Sequence, residues 1–268
     1  MTPSEQSPDD AVVTLMRDVA AQDAERYLQE YLLPKWREVV GEEADGWEAH
    51  LSAFAPALRL TLRHYALGHR RFSRLGASDA AERAIEWAER QGADEFLGGG
   101  DSESFWKRFT EALTPKGRKS ADQLAALLTG LLEWNFETYR VAGEESLVAW
   151  ILTEVRDTGR VEHIHQLLLE IPGFGPKAAS RLLRDLVLVF QLEERVHPAD
   201  RYLLQTVGKP IREVAAIILA DTEDRRLPDW VLAGKISKAC RMSGVSGARF
   251  NAGAEWRFGV SSGDAGED

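Results

Sequence analysis

Residues 167–181 read LLLEIPGFGPKAASR. An apolar run at helical spacing ends at Ile171, a Pro-Gly-aromatic-Gly turn follows, and a helix restarts at once with Pro176. Proline suits that restart, because its fixed φ matches the first helical turn and its missing N–H costs nothing there. Gly173 and Gly175 are expected to turn the backbone tightly at positive φ and to allow close approach of a ligand. The amides at the new helix N-terminus then point at an anion, and Ala178 and Ala179 are small enough to keep the two helices close. Two other phosphate loops fail on spacing. A dinucleotide loop needs a third glycine and a preceding strand, whereas Gly173-Phe174-Gly175 is followed by Pro176-Lys177-Ala178 and preceded by a helix. The triphosphate pattern G-x-x-x-x-G-K-[ST] occurs nowhere.

Outward from this turn the chain reads as helix. Asp9 to Leu33 places Val13, Met16, Ala20, Tyr27 and Tyr31 at helical spacing, and Pro34 opens a short successor. Trp47 to Phe72, Ser78 to Gln91 and Ser102 to Leu113 are further amphipathic segments. The breaks are polar or glycine-rich: GEEADG at 41–46, LGGGD at 97–101 and TPKGRKS at 114–120. Beyond Ser120, an N-cap by type, come DQLAALLTGLLEW, ESLVAWILTEV and VEHIHQLLLEI. No alternating strand pattern, hairpin dipeptide or internal repeat competes. The expected fold is an all-α helical bundle, with an N-terminal helical region over 1–118 and a second region, which contains the turn, over 119–260. The ends, MTPSEQSPDD and SSGDAGED, are expected to be disordered.

Composition narrows the function. The 268 residues contain no apolar run of about 18 residues that would span a membrane, and the N-terminus lacks a basic, apolar secretory pattern, so a cytoplasmic protein is expected. The single cysteine, Cys240, excludes an internal disulfide and a four-cysteine iron–sulfur or zinc site. The net charge of −10 is uneven: Gly173 to Arg257 carries 14 Lys and Arg against 10 Asp and Glu, while the remainder carries 19 against 33. An acidic body with a locally basic C-terminal half is compatible with one phosphate-binding face, and equally with a mixed solvated surface.

IPGFGPKAASRLL resembles the helix-hairpin-helix motif, which grips a DNA phosphate through hairpin amides. The order that follows, a helix AASRLLRDLVLVFQL and then HPADRYLLQTVG, resembles the helix-hairpin-helix (HhH-GPD) base-excision DNA glycosylases. The resemblance spans residues 160–212; the first 150 residues carry no pattern of that family. It implies a DNA glycosylase, with apurinic/apyrimidinic lyase activity, that acts on double-stranded DNA as a monomer. In members that also cut the strand, as in 8-oxoguanine DNA glycosylases, a lysine stands two residues after the second hairpin glycine, and Lys177 stands there. An oxidised purine is therefore the first expectation for the excised base. Asp200, in Pro198-Ala199-Asp200, matches the family aspartate, and His197 is a rival register. Gly173, Phe174, Gly175, Lys177 and Arg181 match the phosphate-binding hairpin. A monovalent cation at the hairpin is the only cofactor that the resemblance admits. The cysteines of the cluster-bearing branch are absent, which places the chain with the cluster-free branch.

The chemistry fits such a pair. Cleaving an N-glycosidic bond develops positive charge on the deoxyribose, which a fixed carboxylate stabilises. A neutral lysine can attack the sugar carbon to form a Schiff base. A free lysine amine titrates near 10.4, so a neutral one needs an apolar cleft around it. Plainer roles stand beside these: Lys177 as a phosphate contact, Asp200 as a helix cap, and the whole chain as a non-catalytic DNA-binding protein or an all-α interaction protein. The chain has eight tryptophans; Trp134 with Asn135, and Trp256, are candidate base-pocket or wedge residues, with helical core as the alternative for Trp134. The stretch GVSGARFNAGAEWRFG, containing Arg249, Asn251 and Trp256, reads as a non-helical cover for either the cleft or the core. His163 and His165 fall on different helix faces and cannot chelate a metal together, and no metal site is expected.

Overall fold

The computed structural model describes residues 10–41, 46–67, 76–91, 102–118, 146–171, 174–219 and 227–260. These residues are helical throughout, with short connecting turns and no strand. Of the ends expected to be disordered, Asp10 begins a helix; residues 1–9 and 261–268, the GGG stretch at 98–100, Trp134, Asn135 and Gly173 lie outside the described residues. The chain forms two compact units that interleave in sequence. One comprises Met1–Leu32, Arg160–Glu162 and Leu183–Asp268, and the other Leu33–Gly159 and His163–Leu182. The sequence reading instead cuts the chain in order at 118/119, beside a stretch outside the described residues. Among the described residues no helix is long and apolar enough to cross a membrane.

The first unit is built around Asp10–Asp18, Lys209–Ile218, Asp229–Met242 and Gly247–Glu255. Their buried faces meet in one core containing Met16, Val19, Val214, Leu232, Ile236, Cys240 and Phe250. The expected apolar spacing of the first helix is borne out at Met16, Ala20 and Tyr27, all buried. Two π-helical stretches, Val19–Asp23 and Tyr27–Leu32, follow Asp10–Asp18.

The segment expected to be non-helical is a helix. Ser246 caps Gly247–Glu255 by accepting from the Arg249 amide at 3.1 Å, and its hydroxyl donates to Glu193. The glycines that suggested looseness serve close packing. A Cβ on Gly253 would sit 2.1 Å from the Val19 carbonyl oxygen and 2.8 Å from the Ala24 nitrogen, so this helix crosses the Val19–Asp23 turn backbone to backbone.

The second unit packs aromatic residues at its centre. Trp36 and Trp47 are both fully buried, with ring centroids 5.4 Å apart, and Trp36 Nε1 donates to the Tyr65 hydroxyl at 3.2 Å. Ser146 caps Leu147–Thr158 by accepting from the Ala149 amide at 3.0 Å, while its own hydroxyl donates to the Leu51 carbonyl at 2.6 Å. One residue thus starts a helix and fixes it to a neighbouring segment. Gly159 closes that helix in the left-handed region, at φ 67°, as a glycine C′ residue does at no steric cost.

Candidate functional site

Two helices flank the opening stretch, Glu162–Glu170 and Pro176–Val189. Between them Ile171 and Phe174 are buried, and the Phe174 amide donates to the Ile171 carbonyl at 3.0 Å. Phe174 is therefore an anchor: its ring fills the core and its amide is spent on the turn. Gly175 precedes the second helix and its carbonyl accepts from Ala179 at 3.1 Å. Its φ is not positive, contrary to expectation. Nothing lies within 4 Å of where its Cβ would stand, so neither φ nor packing demands glycine there; what the missing side chain leaves is open space before a helix N-terminus.

Pro176 opens the helix, and Lys177 is exposed on its first turn. Arg181 follows one turn later on the same side and is half-buried. Ala178 and Ala179 are buried, as the close-packing argument requires. Behind them, His165 Nε2 and Ser180 Oγ lie 3.4 Å apart, linking the two helices. Burial pushes the His165 imidazole below its ordinary value, and a hydrogen bond to the Pro176 backbone partly offsets this. His163 is exposed and His165 buried, on different faces as their spacing dictates.

His197 and Asp200 occupy the two ends of one turn, closed by the Asp200 amide donating to the His197 carbonyl at 2.9 Å. The turn separates them. His197 is exposed, its Nδ1 accepting from the Ala199 amide at 3.3 Å. Asp200 points inward and is 2% exposed. Its Oδ2 accepts from Arg160 Nε at 2.8 Å and from the amides of Val161 at 3.0 Å and Glu162 at 3.2 Å. Burial would raise this carboxyl, but the hydrogen bond from Arg160, the two amides and the Arg160 charge together hold it below the ordinary aspartate range. Asp200 makes no side-chain hydrogen bond to its own following turn. It caps instead the point where Glu162–Glu170 begins. Lys177 belongs to the second unit and Asp200 to the first.

Trp256 is half-buried and lines, with Asp18, Gln22, Asp23, Arg26 and Arg257, an open cavity of about 350 Å³. Asn251 and Arg249 serve the fold. Arg249 donates to the Ala20 carbonyl at 3.0 Å and to Glu25 at 3.2 Å. Asn251, fully buried, accepts from Arg184 at 2.7 Å and from the Thr206 amide at 3.2 Å.

The Arg184 network escaped the sequence reading. Arg184 and Asp185 are both 0% exposed. The guanidinium donates to Asp185 at 2.8 Å, to Glu255 at 2.7 Å and to the Tyr27 hydroxyl at 2.6 Å, with its carbon 4.9 Å from the Tyr27 ring centroid. Burial opposes its charge, but Asp185, Tyr27 and Glu255 outweigh that and hold it well above an ordinary guanidinium. The signal was present in RLLRDLVLVF: an Arg-Asp pair amid an otherwise apolar run.

Among the described residues no three His, Cys, Asp or Glu side chains are grouped to hold a metal ion. Compared with protein-family models, curated proteins and solved structures, the chain matches none.

Proposed function

We propose that the chain is a helix-hairpin-helix DNA glycosylase with associated lyase activity, which excises a flipped, oxidised purine such as 8-oxoguanine from duplex DNA. The observation that carries this reading is the arrangement around Gly175. A glycine that neither φ nor packing requires stands in open space, directly before a helix whose first turn exposes Lys177. A phosphate that approaches there meets the first-turn amides and the positive end of the helix dipole. In this reading the neutral Lys177 amine bonds to the sugar carbon as the N-glycosidic bond breaks, the base leaves with that bond's electron pair and takes up a proton, and the carboxylate of Asp200 stabilises the positive charge that develops on the sugar. The depressed titration of Asp200 supports the charged form that this role needs.

The three donors on Asp200 Oδ2 favour a second reading, a DNA-binding protein that uses the same hairpin as a passive grip. In that case Asp200 is a cap and Lys177 a phosphate contact. A panel of duplexes carrying different lesions, incubated with the protein and run on denaturing gels, separates the two. The glycosylase reading expects base release from one lesion class, lost in Asp200→Asn and retained in His197→Ala. Duplex binding without cleavage of any lesion supports the grip. Gly175→Ala tests what the two readings share: the added methyl meets nothing in the fold, yet it stands where the phosphate would come, so duplex affinity should fall while stability does not.

A further inference from the structure

The Asp229–Met242 helix turns Leu232, Ala233, Ile236 and Cys240 into its core. Its opposite side carries Trp230, Lys235, Lys238, Arg241 and Met242, all exposed. At 3.6 residues per turn these five fall within an arc of about 140°. No acidic residue occurs from Trp230 to Ala254, in a chain where 43 Asp and Glu outnumber 33 Lys and Arg. Asp229, at the start of the helix, is ion-paired with Arg212. The exposed face is thus basic within an acidic protein.

Two further features give the face a shape. Trp230 is 72% exposed, against 48% for Ile217 and 43% for Met242. Gly234 lies one turn beyond it and one turn before Lys238, on the same ridge. A glycine inside a helix is destabilising relative to alanine, and nothing lies within 4 Å of where its Cβ would be. Packing therefore does not explain it. One turn from Trp230 and one turn from Lys238, the uncovered backbone at Gly234 leaves a shelf on this ridge.

We infer that this face binds single-stranded nucleic acid. A base stacks on the Trp230 ring above the Gly234 shelf, and the phosphates on either side are held by Lys235, Lys238 and Arg241. An unpaired strand is required because a duplex keeps the faces of its bases stacked, whereas an exposed aromatic ring beside cations suits a free base and its phosphates. The inference goes beyond the hairpin reading and does not depend on it.

The test uses the full chain and a fluorescein-labelled oligothymidylate of about 15 nucleotides, read by anisotropy; one such base stack makes Trp230→Ala about tenfold weaker. Trp230→Phe, which keeps a ring, should stay within about threefold of wild type. Changing Lys235, Lys238 and Arg241 together to Gln should reduce the slope of log K against log salt by about 2, at ~0.7 per single-strand phosphate contact. Gly234→Ala should raise the melting temperature, as a better helix former does, while weakening binding by filling the shelf. Trp230→Ala should bind duplex DNA as wild type does, so failure of the hairpin reading and failure of this one are distinguishable. No binding by the wild type, undiminished binding by Trp230→Ala, or equally good competition by blunt duplex would overturn the inference.

Discussion

Asp200 is held by groups that prefer its charged form, and this gives it a measurable structural signature whatever its catalytic role. Its folded-state pKa is depressed, so its contribution to stability is present above the unfolded value of about 3.9 and is lost as pH falls below that value through the folded one. Urea midpoints at pH 7 and pH 3 should therefore differ less in Asp200→Asn than in wild type. Asp200→Ala removes the acceptor as well and leaves the buried Val161 amide without it, at a cost of about 1–3 kcal/mol. If Asp200→Asn, less stable than wild type but folded near neutrality, still binds the lesion duplex and does not release its base, charge rather than capping is what the reaction needs. His197 offers the contrast: exposed, at the outer end of the same turn, it should tolerate alanine.

At the scale of elements, the Pro176–Val189 helix ends in a way that invites a test. Leu192 donates to the Val187 carbonyl at 2.8 Å and Gln191 to the Leu188 carbonyl at 3.3 Å, the paired bonds of a Schellman ending. Its left-handed position is filled by Gln191 at φ 54°, where glycine avoids the steric cost. Gln191→Gly should stabilise by about 0.5–1 kcal/mol in urea titration. Gly253→Ala should do the opposite, by about 1–3 kcal/mol or more, because its methyl would meet the Val19 backbone. These two positions also show what the sequence could express. Helical spacing at Met16, Ala20 and Tyr27 is a local signal. Whether a glycine-rich stretch is loose or closely packed depends on what crosses it, and Val19 is more than two hundred residues from Gly253 in the chain. Nothing local marks the left-handed Gln191, and Gly175 looked like a turn glycine although its φ is ordinary.

At the scale of the whole molecule, the Arg184 network ties Tyr27, Asp185, Thr206, Asn251 and Glu255, drawn from distant parts of the chain, into the first unit. Arg184→Met should destabilise by about 3–5 kcal/mol, because it leaves the Asp185 carboxylate buried without its partner. Arg184→Met/Asp185→Leu should recover much of that loss, since replacing both charges removes the uncompensated one. A buried network of this kind fixes the placement of neighbouring segments but carries no sign of the proposed reaction, which would rest on Lys177 and Asp200. That central claim is tested most directly by trapping. The full chain is incubated with an 8-oxoguanine duplex and borohydride, then resolved on a denaturing gel. If Lys177 attacks the sugar carbon, the imine is reduced to a covalent protein–DNA band in wild type, and the band is absent in Lys177→Gln. A band that persists in Lys177→Gln, or no band from any lesion duplex that the protein binds, would contradict it.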